Sequence, residues 1–175
     1  MVYVFETERL KLRRLEPEDA ENLYRIHLDE DVKHWFPNES YADVEEAREA
    51  IAFFAGCVDR KELPYVLAVE EKATGELIGD TGLSEVEGKP GEAEIGYVIR
   101  RANRGRGYAA ELARAMGAFA HTAFQIKVMY GRVVKGNAAS ARVLEKAGYR
   151  FAAEEHGAED DPYGSGMLVY VKETV

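Results

Sequence analysis

Between Leu63 and Arg100 the chain reads LPYVLAVEE, ELIGDTGLSEVE and EAEIGYVIR, interrupted only by KATG and GKPG. Apolar, β-rich segments joined by such short turns pair with their sequence neighbours, so the stretch predicts an antiparallel three-stranded meander. The rest of the fold must be built around it. RRANRGRGYAAELARAM (Arg100–Met116) follows at once: a glycine-bearing loop holding Arg100, Arg101, Arg104 and Arg106, then an amphipathic helix pattern.

The flanking segments extend this frame. RLKLRRL (Arg9–Leu15) alternates apolar and charged residues, the period of a half-buried strand. EPEDAENLYRIHLDE predicts a helix with Pro17 in its first turn, acids at its positive end, and a stripe of Ala20, Leu23, Tyr24 and His27. SYADVEEAREAIAFFAG predicts a second helix, with Val44, Ala47, Ile51 and Phe54 on one face and Gly56 as its stop. The third helix covers Ala109 to Phe124, with Leu112, Ala113, Met116, Phe119, Ala120 and Ala123 facing the core. KVMYGRVV reads as a strand, and NAASARVLEKAG as a fourth helix between an Asn137 N-cap and a Gly148 stop. YRFAAEE and GMLVYVKE finish as two strands. This order predicts an α/β fold of the α+β type: one domain over residues 1–175, a mixed and mostly antiparallel central sheet, and four flanking helices.

Composition excludes several functions. The net charge of −9 argues against general nucleic-acid binding. Cys57 is the only cysteine, so no disulfide forms within the chain and a cytoplasmic location is expected. MVYVFETERLKLRR has too short an apolar run for a signal peptide or a membrane span. His27, His34, His121 and His156 lack metal-ligand spacing, so no metal is expected. YGSGM around Ser165 only approaches the Gly-x-Ser-x-Gly elbow of hydrolases.

The arginine loop lies where a strand passes into a helix. The first amides of a helix have no partner within it, and the helix dipole makes that end positive. Glycines let the backbone approach a ligand closely, and arginine adds forked hydrogen bonds, so the loop has the chemistry of a phosphate or pyrophosphate site. It is neither a P-loop, for want of a Lys-Ser/Thr pair, nor a dinucleotide fingerprint, whose glycine spacing differs.

RGRGYA (Arg104–Ala109) fits the (Gln/Arg)-x-x-Gly-x-(Gly/Ala) signature of the GNAT superfamily of N-acetyltransferases. NAASARVLEKAGYRF (Asn137–Phe151) resembles a block of that superfamily's RimJ/RimL-like branch, which includes ribosomal-protein N-acetyltransferases, and TERLKLRRLEPEDAENLY resembles the branch's opening. The resemblance implies a V-shaped split in the sheet that receives acetyl-CoA. It assigns backbone contacts to the pantetheine arm to Tyr97, Val98 and Ile99, and a pyrophosphate cradle to Gly105, Arg106, Gly107, Tyr108, Ala109 and Ala110. Arg104 and Arg106 would reach phosphates, Asn137 would bond the arm, and Ser140 would lie near the sulfur.

The same resemblance places Glu94 as the base that deprotonates the amine, with Glu92 as fallback, and Ser140 as the acid substitute. Many relatives carry a tyrosine acid where this chain has Leu144, and a base where it has Arg132. Trp35 and Phe36, in HWFPNESY between the first two helices, would contact the acceptor. The activity implied is acetyl transfer from acetyl-CoA to a primary amine, a protein N-terminus or a small molecule. The partners expected are that amine acceptor and, in a homodimer, a second copy of the chain, with no nucleic acid and no membrane. A noncatalytic acyl-CoA-binding or sensing module is the alternative, and an RNA-contacting Arg-Gly loop a third reading that the charge opposes.

Overall fold

In the computed structural model, which describes residues 1–157 and 166–174, the chain order is as follows. β1 (Tyr3–Glu6) and β2 (Leu10–Arg13) lead through a 3-10 turn at Pro17–Asp19 into α1 (Ala20–His27), α2 (Glu30–Trp35) and α3 (Val44–Arg60). The meander follows as β3 (Tyr65–Glu71), β4 (Leu77–Glu85) and β5 (Glu92–Ile99). A 3-10 turn at Arg101–Asn103 then precedes α4 (Tyr108–Phe124), β6 (Val128–Val134), α5 (Ala138–Lys146), β7 (Arg150–Glu155) and β8 (Met167–Glu173). These eight strands form a mixed, mostly antiparallel sheet. Ser165 lies outside the described residues.

Two compact units divide the chain, the first comprising Met1–Ser84 with Gly96–Ala109. In it β1, β2, β3 and β4 pair antiparallel in sequence order. Leu10 and Leu12 of β2 face Glu71 and Val69 of β3, and both leucines are fully buried. The second half of β5 joins this sheet: the Arg100 amide donates to the Ile78 carbonyl at 2.6 Å and Thr81 Oγ1 to the Gly96 carbonyl at 2.8 Å. Residue numbers rising on β4 as they fall on β5 make the pairing antiparallel, as the short GKPG turn requires. Leu23, Ile26, Val32 and Ile51 of the helices pack in one core with Ala68 of β3 and Val98 of β5, and Phe36 and Tyr41 pack against that core.

The second unit comprises Glu85–Ile95 and the chain from Ala110 on. Here β5 pairs parallel with β6 over Glu92–Glu94 against Val128–Tyr130. β6 pairs antiparallel with β8 from Val128↔Glu173 to Val134↔Met167, and β8 with β7. Leu112, Ala113, Met116 and Ala120 of α4 are fully buried, as the helical spacing predicts.

The structure corrects three expectations. Among the described residues there are five α-helices where the pattern predicts four, the addition being α2. Its six residues are too few to show a period, but Asp29 caps it by accepting from the Asp31 amide, and Lys33 and His34 lie at its negative end. His34 and Trp35 are therefore helical and not part of a loop. α3 runs through Gly56 to Arg60, because Cys57 and Val58 continue its buried face, and it stops at Lys61 in the left-handed conformation, φ 55°. Ala123, expected in the core, is exposed in the last turn of α4. Asn137 and Gly148 do bound α5: Asn137 accepts from the Ser140 amide, and Gly148 has φ +91°.

A Cβ at Gly79 would fall 2.0 Å from the Val98 carbonyl oxygen, a backbone atom that cannot rotate away, so only glycine permits this approach of β4 to β5. At Gly96 a Cβ meets nothing within 4 Å. Gly79→Ala should therefore lower stability by about 2 kcal/mol or more in urea denaturation, and Gly96→Ala should stay within about 0.5 kcal/mol of wild type.

Candidate functional site

The loop entering α4 hangs from one carboxylate. Glu71, at the end of β3 and 4% exposed, accepts from Tyr108 Oη at 2.5 Å, Thr74 Oγ1 at 2.8 Å and Asn103 Nδ2 at 3.5 Å. Arg106 comes within 3.6 Å of the same carboxylate. These donors, the Tyr108 hydroxyl first, hold the Glu71 carboxyl below its ordinary range, and the hydrogen bond to Glu71 in turn pushes the Tyr108 hydroxyl up. The Arg9 guanidinium lies 4.4 Å over the Tyr108 ring and donates to the Arg106 carbonyl at 2.7 Å. The first residue of α4 and both sides of the loop are thus tied to β2 and β3.

Gly105 and Gly107 have φ of +77° and +82°, the left-handed conformation that glycine adopts without a Cβ penalty. Among the described residues, no backbone hydrogen bond of a loop or cap uses the amides of Gly105 to Ala110. The amides from Tyr108 on lie in the first turn of α4, where helix geometry provides no carbonyl for them. The left-handed glycines and the amides free of loop or cap backbone bonds lie where the sequence reading places a phosphate site.

The arginines behave differently. Arg100 donates to Glu76 at 2.8 Å, and Arg101 to Asp29 at 2.7 Å. Arg104 donates to the Ile99 carbonyl at 2.8 Å and to Asp31 at 3.2 Å, and Arg106 faces Glu71. Each guanidinium meets a carboxylate of its own chain, so the cluster stitches the loop to α2 and β3. The Arg101 hydrogen bond and the nearby Arg104 charge outweigh the burial of Asp29 and pull its carboxyl down to about 2. Of the strand residues expected to meet the pantetheine arm, Tyr97 is half-buried while Val98 and Ile99 are buried.

The same unit holds a polar cluster absent from the sequence reading. His27, 1% exposed at the end of α1, brings Nε2 to 2.6 Å from Asp80 Oδ2 on β4 and Nδ1 to 2.6 Å from the Glu39 carbonyl oxygen. A carbonyl can only accept, so Nδ1 carries a proton, and donation from Nε2 to the carboxylate makes the ring an imidazolium. Burial pulls His27 toward the neutral form, but Asp80 and the Glu39 carbonyl prevail and raise it above the ordinary histidine range. The Tyr41 ring lies 5.2 Å away.

In the second unit, Glu94 accepts from Arg132, whose Nε also donates to Glu155 at 3.1 Å. The Glu92 Oε2 atom is buried without a hydrogen-bond partner among the described residues, 3.8 Å from Lys89 Nζ. Ser140 gives its amide to Asn137 Oδ1 at 3.2 Å. Leu144 is 1% exposed, and a Cβ at Gly131 would lie 2.6 Å from its Cδ1. The position that carries tyrosine in many relatives is core here.

A family model described as an acetyltransferase (GNAT) domain matches residues 9–150, running through both units. The chain belongs to the GNAT acetyltransferase family. Bacillus subtilis (strain 168) YoaA, an uncharacterized N-acetyltransferase, is 29% identical over 150 residues, 86% of this chain and 84% of that protein. The fold matches the ribosomal-protein-S5-alanine acetyltransferase of Vibrio fischeri with a TM-score of 0.83 at 17% identity, over 99% of this chain and 97% of that one. It also matches RimL, a ribosomal L7/L12 α-N-protein acetyltransferase in complex with coenzyme A, with a TM-score of 0.80 at 16% identity, over 98% and 97% of the two chains. These neighbours agree with the RimJ/RimL-like resemblance. No helix among the described residues is long and apolar enough to cross a membrane, and no group of three or more His, Cys, Asp or Glu residues among them could hold a metal ion.

Sequence reading missed Glu71, Asp29, His27 and Asp80. Arg101 and Asp29 lie 72 positions apart, so no local pattern marks the pair. Because Asp29 is held at about 2 against an ordinary 3.8, its pairing stabilises the fold fully above about pH 4, and that contribution fades as pH falls through about 2. Asp29→Asn should therefore be less stable than wild type at pH 7, and the two should converge toward pH 2 in urea titrations at stepped pH.

Proposed function

We propose that the protein transfers an acetyl group from acetyl-CoA to a primary amine by direct attack, with no covalent enzyme intermediate. The observation that carries this reading is the run of amides from Gly105 to Ala110, turned outward by two left-handed glycines at the start of α4. Such a run suits a diphosphate. The arginines around it are neutralised by the chain's own acids, so the amides and the helix dipole would do most of the holding. Tyr97, Val98 and Ile99 offer strand backbone to an arm carrying two amide groups, and Asn137 and Ser140 would serve the same arm.

Acetyl-CoA supplies a thioester carbonyl already activated for acyl transfer. The chain must accept a proton from the amine, meet the charge developing on the carbonyl oxygen, and protonate the departing thiolate. Glu94 remains the carboxylate proposed as base, with a water carrying the amine proton to it, since one of its oxygens already accepts from Arg132. Strand amides at Tyr97–Ile99 would meet the carbonyl oxygen. Ser140 is the remaining hydroxyl for the thiolate, since Leu144 offers none. The acceptor class is a protein N-terminus, as RimL acts on, or a small amine reaching Trp35 and Phe36. The buried Leu144 and the engaged Glu94 also favour a second reading, a noncatalytic acyl-CoA-binding module.

Acetyl-CoA at a hundredfold excess over Kd should stabilise the protein by about 2.7 kcal/mol, read as a rise in melting temperature. Gly107→Glu should abolish that rise: its left-handed φ of +82° opposes any side chain, and the new carboxylate repels phosphate. An unchanged melting temperature in wild type would overturn both readings. Thiol release with a panel of amines then separates them, turnover supporting the enzyme and its absence the binding module.

A further inference from the structure

The acetyl-transfer reading gives the buried, titratable His27 no task. His27 joins three pieces of chain: its own helix α1, the Glu39 carbonyl in the α2–α3 connection, and Asp80 on β4. Both of its ring nitrogens sit at 2.6 Å from oxygen acceptors. The connection it holds contributes Phe36 and Tyr41 to the core that contains Val98. Val98 lies on the part of β5 whose backbone is proposed to serve the thioester arm, and Gly79, next to Asp80, meets the Val98 carbonyl directly. The segment that His27 fastens therefore packs, through Phe36 and Tyr41, against the same core as Val98 of β5.

We propose that His27 is a positioning residue for the amine acceptor: clamped between Asp80 and the Glu39 carbonyl, its ring fixes the Phe36–Tyr41 segment against β4, beside the strand where the amine must approach the thioester. This rests on the acetyl-transfer reading. Among the described residues, His27 makes the one hydrogen bond to the Asp80 carboxylate. The charged and titratable groups facing the clamp are Asp80 from β4, Glu39 and Tyr41 from the connection, and Glu46 of α3, which acts on Tyr41. One imidazolium meets the Asp80 and Glu39 carboxylates there, a local excess of negative charge that favours a cationic acceptor over an anionic one. A neutral imidazole keeps a single proton and can donate to only one of its two acceptors. The clamp is therefore complete below the elevated value of His27 and loosens as pH rises through it.

Trp35, the only tryptophan, sits beside the clamped segment and reports on it. His34 packs edge-on against it at 4.4 Å, so the fluorescence arm uses His34→Gln protein to remove that ring's own titration. In that background Trp35 emission should shift as pH is raised above the ordinary histidine range, and adding His27→Gln should remove the shift. In otherwise wild-type protein, His27→Gln and Asp80→Asn should each raise the KM for spermidine or for a peptide with a free N-terminal alanine by about tenfold, with kcat changed less than about twofold. The rise in melting temperature given by acetyl-CoA should persist in both variants.

Wild-type turnover with an amine KM unmoved by either variant overturns this inference and leaves acetyl transfer standing. A Trp35 emission that ignores pH overturns it as well. Loss of the acetyl-CoA shift in both variants overturns it, because His27 then supports the whole fold and not the acceptor. Absence of wild-type turnover on any amine defeats the acetyl-transfer reading itself, and this inference with it.

Discussion

The carboxylate of Glu71 is the fixed point of the first unit. A buried acid is costly unless hydrogen bonds replace its water, and here Tyr108, Thr74 and Asn103 supply them. The arrangement works in both directions. The donors keep Glu71 ionised, and Glu71 holds the first residue of α4 in register with β3. The amides at the start of α4 take part in no backbone hydrogen bond of a loop or cap among the described residues, so they do not secure the helix start. The side-chain hydroxyl of Tyr108 does the securing instead, and the backbone stays available.

The same division explains how an acidic chain uses an arginine-rich loop. Taken alone, four arginines in seven residues look like a phosphate magnet. In the fold they are consumed by Glu76, Asp29, Asp31 and Glu71, so the loop presents geometry more than charge. A loop bound to its own scaffold by opposite charges loses less entropy when a ligand arrives, which is the benefit of preorganisation.

Much of the fold was legible because its signals are local. The alternation in Arg9–Leu15, the short turns of the meander, the Asn137 cap and the Gly148 stop each act within a few residues, and each is found in place. The glycine loop was legible for the same reason, as left-handed glycines and a helix start are neighbours in sequence. What escaped was nonlocal or too short. α2 has less than two turns in which to show a period, Gly56 was overruled by the burial of Cys57 and Val58, and the partners of Arg101, Arg104 and Tyr108 come from distant elements. His27 was legible as a buried position on its helix but not as a hydrogen-bonded one, since Asp80 is 53 residues away.

Arg9 carries a practical consequence. It stands just ahead of β2, near the start of the chain, yet its guanidinium braces the Arg106 carbonyl 97 residues later and covers the Tyr108 ring. Arg9 is in this sense a strut of the loop that enters α4. A change that frays β2 would therefore act on the loop across that strut.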